Sequence, residues 1–156
     1  MRYGILAVVV VLGWFLFGSH DVAAGAVRGL GYERALKAHA AAARAAERRE
    51  AEARQRRYEN GWVQRWTGAY GRRVGQWARL AIRVGWPRRS LQRLGYCVYR
   101  ESRGDRYARN PYSGCSGLLQ LHPCWWRGKF DPFRPRRNLS FGLRLWRSDG
   151  WSHWGL

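Results

Sequence analysis

Lysine is almost missing from this 156-residue chain: Lys37 and Lys129 are the only two, although basic residues outnumber acidic ones 29 to 10 and the formal net charge is +19. The positive charge is therefore arginine, a bias that a GC-rich genome also produces. A field of this sign draws in polyanions such as nucleic acid, anionic lipid or the phosphates and carboxylates of a bacterial wall, and says nothing about fold. Cysteine is scarce too. Cys97, Cys115 and Cys124 form no Cys-x-x-Cys pair, and His20, His39, His122 and His153 are scattered, which excludes a zinc site of ordinary spacing. No metal and no cofactor are expected. No RNP, zinc-finger or helix-turn-helix pattern accompanies the charge, so a nucleic-acid reading rests on charge alone. Alternating apolar and polar runs of useful length are lacking, as are internal repeats, and the chain reads as mainly α.

The long apolar run that is present comes first. Met1 and Arg2 precede an uninterrupted apolar stretch at residues 5–17, followed by Ser19, His20 and Asp21. A basic start and an apolar core of this length match a secretory signal. A membrane-spanning helix wants about 20 apolar residues, so an uncleaved anchor needs an extension through residues 22–27. Both readings of residues 1–27, signal peptide or membrane anchor, export the rest of the chain, and the expected localisation is outside the cytoplasm, secreted or anchored facing the wall. In an oxidising compartment one disulfide and one leftover thiol are the arithmetic expectation. Cys115 and Cys124 flank a short Gly-rich segment and are the expected pair.

Residues 28–60 change character. From Tyr32 to Tyr58 there is no proline and no glycine, and Ala, Arg and Glu dominate. Strong helix formers with Glu–Arg pairs such as Glu50 and Arg54 predict a charged helix. Apolar side chains larger than alanine are nearly absent, so it is polar all round, as a solvated spacer or a helix lying on an anionic surface. Asn60-Gly61 is expected to break it. Residues 61–85 form a Trp/Arg-rich amphipathic segment in which Trp62, Trp66 and Tyr70 share an i, i+4, i+8 stripe. The stripe suits a membrane or wall surface, or equally packing onto the domain behind it. Ten tryptophans leave the same two alternatives, a compact aromatic core or a carbohydrate- or membrane-facing surface.

Ser90 predicts the N-cap of a helix from Leu91 to about Ser102, stopped by Gly104. Leu91, Leu94, Val98 and Glu101 fall on one face of it, so a carboxylate ends an apolar stripe. Partial burial and the C-terminal end of the helix dipole both favour its protonated form, the tuning that a general acid needs. Arg100 and Arg103 push the other way, and a Glu paired to one of these arginines is the plain alternative. Next come loops punctuated by Asn110-Pro111, Ser113-Gly114, Ser116-Gly117 and Asp131-Pro132, and a last helix opens at Asn138 or Ser140 and runs through Trp146.

At this point the chain resembles the lytic transglycosylase and goose-type lysozyme superfamily, particularly its short secreted and phage-associated forms. The resemblance is carried by Tyr99-Arg100-Glu101-Ser102-Arg103-Gly104-Asp105, then Ala108-Arg109-Asn110, then the block from Ser113-Gly114-Cys115-Ser116-Gly117 through Leu118-Leu119-Gln120-Leu121-His122-Pro123. Phe130-Asp131-Pro132, Asn138-Leu139 and the closing Trp151 and Trp154 extend it, over about residues 86–156. It implies a small lysozyme-like domain behind an N-terminal apolar segment and a long charged helix. It implies that Glu101 protonates the glycosidic oxygen between N-acetylmuramic acid and N-acetylglucosamine, and that Asn110, Gln120 and Ser116 contact the substrate, with peptidoglycan glycan strands as partner. A lytic transglycosylase gives 1,6-anhydro products and needs no second carboxylate; lysozyme-type hydrolysis of the same bond usually needs two, for which Asp105 and Asp131 are the candidates. A non-catalytic cationic protein binding wall or membrane is the third alternative. Cys115 stands where the family has Ala, and Leu119 where Met is common. Larger members bring a later tyrosine to the Glu; no tyrosine comes after Tyr112 here, which leaves Trp146 or Trp151 for that place.

Overall fold

The structure is a computed structural model that describes residues 22–156, with side chains from Tyr32 onward. Most of the expected signal or anchor, residues 1–21, therefore lies outside the described residues. Among those described, no helix is long and apolar enough to cross a membrane. The chain divides into two units, residues 1–48 and 49–156.

In the first unit the described part is helical, the leading stretch of α1 (Val22–Tyr70). Every side chain from Tyr32 to Arg48 is exposed. Lys37 Nζ lies 3.8 Å from Glu33, one turn away. A fully solvated pair like this contributes little, so helix propensity carries this stretch, as its composition predicts.

The second unit begins with the rest of α1 and continues through α2 (Arg72–Gly75), α3 (Ala78–Val84), α4 (Leu91–Ser102), α5 (Pro123–Trp126) and α6 (Pro135–Asp149). A short 3-10 turn at Arg88–Ser90 leads into α4, and another at Ser152–Trp154 comes after α6. There is no strand among the described residues; two isolated antiparallel bridges, Arg109 with Ser116 and Ser116 with Leu121, organise the loop after α4. The mainly α expectation holds.

Two expectations about residues 61–85 are corrected. Asn60-Gly61 does not break the helix, because α1 runs through it to Tyr70. A mid-helix glycine costs about 1 kcal/mol, and the burial of Trp62 and Trp66 on the next turns outweighs that. Of the two readings of the Trp62–Trp66–Tyr70 stripe, packing onto the domain behind it holds: Trp62, Trp66, Val74, Ala78 and Ala81 share one core with Trp86, Leu91, Leu94, Val98, Leu118, Leu119, Leu121, Leu139 and Leu143. The compact unit starts at Arg49, not near residue 86.

Close approach of α1 to α4 explains an otherwise costly residue. A Cβ at Gly95, in mid-α4, would stand 2.8 Å from the Trp66 ring, so only glycine admits the indole. α3 packs on both α4 and α6, and the Ser152–Trp154 turn folds back onto α6. Tryptophan N–H groups tie these pieces to backbone carbonyls: Trp77 donates to Gly104 at 2.9 Å, Trp86 to Leu139 at 3.1 Å, Trp126 to Leu121 at 2.8 Å and Trp154 to Leu119 at 3.0 Å. Trp86 also stacks on Trp151 at 5.8 Å and tilts against Trp146 at 5.7 Å. Among the described residues Trp62, Trp66, Trp86 and Trp154 are buried in the core, and the other tryptophans pack against it partly exposed.

Candidate functional site

Helix α4 forms where its caps and periodicity place it. Ser90 occupies the N-cap position, although its hydroxyl donates to the Pro87 carbonyl at 2.7 Å and does not cap the helix itself. Leu91, Leu94 and Val98 are buried, and Glu101 on the same face is partly exposed, with 21% of its side-chain surface open. The carboxylate thus ends the apolar stripe at the surface.

Its neighbour defines its setting. Arg100 donates to Glu101 Oε1 through Nε at 3.1 Å and through Nη2 at 2.8 Å. The same Nη2 donates to the Trp154 carbonyl. In place of a purely apolar surround, the carboxylate is met by a guanidinium, the plain alternative read from the sequence. Arg103 turns away and stacks on Tyr99, 4.1 Å from the ring centre. The sequence offered Arg100 as a partner of Glu101; the Trp154 carbonyl beside it is what sequence reasoning missed. Trp146 and Trp151, expected to take the missing tyrosine's place, stack on Trp86 instead. The group that reaches Glu101's partner is Trp154.

Ser102 connects this helix end to the Gly-Leu-Leu-Gln block. Its hydroxyl lies 3.0 Å from the Val98 carbonyl and 2.9 Å from that of Leu118, and accepts from the Gly104 N–H at 3.2 Å. The block is folded as a tight loop. Gly117 has φ 81°, and a Cβ there would collide with the Asn138 amide and the Pro132 carbonyl. Asn138 holds the loop from α6: its Nδ2 donates to Ser116 at 3.2 Å and to Pro132 at 3.0 Å, and its Oδ1 accepts from the Leu119 N–H at 3.0 Å. Asn138 is fully buried. The sequence offered it as a helix opener and as part of the Asn138-Leu139 match; α6 in fact opens earlier, at Pro135, and the clamp that Asn138 forms needs the loop in space.

The three expected substrate contacts fare differently. Gln120 is a non-glycine residue at φ 46°, a left-handed conformation that costs about 1–2 kcal/mol. Its Nε2 offsets this by donating to Ala108 at 3.0 Å and Gly117 at 3.1 Å. It remains partly exposed. Asn110 is exposed and builds a turn, its Oδ1 accepting from the N–H groups of Tyr112 at 2.9 Å and Ser113 at 3.0 Å. Ser116 lies apart from the surface. It is fully buried, its hydroxyl donates to the Gly114 carbonyl at 2.9 Å, and its backbone pairs with Leu121. Among the described residues no hydrogen bond joins Glu101 directly to Asn110 or Gln120. They share a loop system in which Ser102 reaches Leu118, Gln120 reaches Ala108, and Asn110 N–H reaches Cys115.

The other carboxylates of residues 86–156 are spent on local structure. Asp105 accepts from Tyr107 N–H at 2.9 Å, and Asp131 accepts from Phe133 N–H at 2.9 Å and lies 3.7 Å from Arg134. Asp149 is hydrogen-bonded by His153 and then Ser148, which hold its carboxyl below the usual range. Earlier in the unit, Glu59 is buried and takes a bidentate grip from Arg83, at 3.2 and 3.0 Å, which lowers its carboxyl against the opposing effect of burial.

The expected Cys115–Cys124 bond is not formed. All three cysteines are free thiols. Cys124 is exposed on the short α5, with its sulfur 3.0 Å from His122 Nδ1. Cys97 is sealed in the core, and burial pushes its thiol up well beyond the ordinary range. Among the described residues no group of His, Cys, Asp and Glu side chains is placed to hold a metal ion. The four clefts described on this unit are lined by residues other than Glu101, Asn110 and Gln120. No family model, no characterised protein and no solved structure matches this chain.

Proposed function

We propose that the unit formed by residues 49–156 cleaves the β-1,4 bond between N-acetylmuramic acid and N-acetylglucosamine in peptidoglycan, as a lytic transglycosylase with Glu101 as its single acid/base. The observation that carries this reading is the contrast among carboxylates. Asp105, Asp131 and Asp149 lie outside any buried stripe and each accepts a hydrogen bond within its own turn or cap, whereas Glu101 ends the buried Leu91–Leu94–Val98 face of α4 with only 21% of its side-chain surface open. Arg100 holds its Oε1. Oε2 accepts no hydrogen bond among the described residues and is the atom to carry the proton. A lone, oriented carboxyl suits a reaction in which no second carboxylate takes part.

In this mechanism Glu101 gives its proton to the glycosidic oxygen as the C1–O bond of the muramic residue breaks. The 6-hydroxyl of the same residue then attacks C1, and Glu101 takes up its proton, which returns the carboxyl to its starting state. The product carries a 1,6-anhydro end, and no water is consumed. The Ser102 link to Leu118 and the left-handed Gln120 support the resemblance in residues 99–123, because they make the Glu-Ser end of the helix and the Gly-Leu-Leu-Gln block one structural unit. The expected export of the chain is part of the proposal, since the substrate lies outside the cytoplasm.

Glu101→Gln tests it. The amide is nearly isosteric and cannot donate the proton, so cleavage should fall by about 10² to 10⁴ while folding is kept. Muropeptides released from purified peptidoglycan by the full chain are analysed by mass spectrometry. Anhydro ends that vanish in the variant support the proposal. Reducing ends assign hydrolysis instead, and no release by the parent protein leaves a cationic wall-binding protein.

A further inference from the structure

We infer that the cleft between the α5–α6 connection and the outer face of α6 is a binding site for a flexible phosphodiester chain with small polyol units, such as a glycerol phosphate polymer. The cleft has a volume of ≈ 380 Å³ and is lined by Lys129, Arg136, Arg137 and Arg144, with Phe130, Ser140 and Phe141 between them. No acidic side chain lines it. None of the four cations forms a salt bridge among the described residues, whereas their neighbour Arg134 is paired with Asp131. The contrast with the cleft at α1 is direct: there Arg56 and Arg83 are neutralised by Glu52 and Glu59.

Helix stability does not account for these residues. Arg136 and Arg137 stand in the first turn of α6, which holds no acidic side chain, and positive charge there opposes the helix dipole. Four uncompensated cations around one concavity repel each other until an anion fills it. Guanidinium groups match phosphate oxygens bidentately, which favours phosphate over a lone carboxylate.

The aromatic floor narrows the class of phosphate. Non-specific binding of single-stranded nucleic acid relies on open rings on which bases stack. Here the Arg144 guanidinium lies 4.7 Å over the Phe141 ring, and Phe130 packs against Phe141 at 5.2 Å. Both rings also pack on the core. They fix Arg144, whose guanidinium takes a face of Phe141 that a base would otherwise stack on. A cleft of this size admits a thin chain and not a flat lipid bilayer. Charges along a polyol phosphate, with no ring between them, meet these conditions. The site is separate from Glu101, and the inference does not rest on glycan cleavage.

The test measures binding of a fluorescently labelled glycerol phosphate oligomer to the full chain by anisotropy, over a series of salt concentrations. Arg136→Gln/Arg144→Gln should weaken binding by about tenfold or more, and should lower the slope of log affinity against log salt by about 1 to 2. Arg136→Lys/Arg144→Lys keeps the charge and should recover most of the slope. Arg72→Gln/Arg73→Gln removes equal charge from another cleft and should leave most of the affinity. Near-UV circular dichroism checks that each variant keeps the parent fold. Equal losses in the two glutamine pairs would mean diffuse charge attraction and overturn the site. So would tighter binding of oligothymidylate or of phosphatidylglycerol vesicles than of the oligomer, if that binding is lost in the Arg136/Arg144 glutamine pair.

Discussion

Replacing Asn138 with Ala should be among the most damaging single changes in residues 86–156, because one side chain holds three backbone groups that have left water. The Leu119 N–H loses its acceptor and the Pro132 carbonyl its donor, both at 3.0 Å, while the Ser116 carbonyl loses a donor at 3.2 Å but keeps the Leu121 N–H at 3.0 Å. A buried group left unpaired costs about 1–3 kcal/mol. A water entering the vacated space restores part of that, so the expected loss is about 3–5 kcal/mol, a large share of the about 5–15 kcal/mol that holds an ordinary domain together. Urea unfolding of the full chain, monitored by tryptophan fluorescence, measures it. Asn138→Asp adds a signature that cavity formation does not share. Its second oxygen would face the two carbonyls, so burial and repulsion raise the carboxyl in the folded state above its unfolded value. The folded variant then binds more protons than the unfolded chain and gains stability as pH falls. Its deficit against the parent should narrow between pH 7 and about pH 5. A loss under about 1 kcal/mol in Asn138→Ala, or a pH-independent deficit in Asn138→Asp, would refute the clamp.

Arg83→Ala strips the buried Glu59 carboxylate of its bidentate partner and should lower stability at pH 7, by less than a buried pair would because the exposed arginine is screened by solvent. Glu59 is held below its ordinary value of 4.5, so this stability is present above that pH and is lost as pH falls below it; the gap between variant and parent in acid-titrated melts should close there. Trp66→Ala should lose about 3–5 kcal/mol, while Trp66→Phe, which removes a buried N–H that has no partner, should lose much less by the same urea assay. In native protein a thiol-specific reagent should label Cys124 at once and Cys97 only upon unfolding, since one is exposed and the other sealed in the core with its thiolate disfavoured; prompt labelling of Cys97 counts against that packing.

Much of this molecule was legible along the chain. Ala, Arg and Glu without proline or glycine give the exposed stretch from Tyr32 to Arg48, because helix propensity needs no partner there. The 3–4–3 spacing of Leu91, Leu94, Val98 and Glu101 gives α4 and its face, since periodicity is a local property. Glu101 at the end of that face was legible for the same reason. What tertiary structure alone decided is where competing local signals meet. Asn60-Gly61 says stop, and the burial of Trp62 in the core and of Trp66 against Gly95 of α4 overrides it. Ser116 looks like a surface polar residue, and only the fold that pairs its backbone with Leu121 buries it. Arg100 is bound by two groups at once, its neighbour Glu101 and the carbonyl of Trp154, 54 residues on. Contacts of that range are set by how the helices pack, and no window of sequence contains both ends.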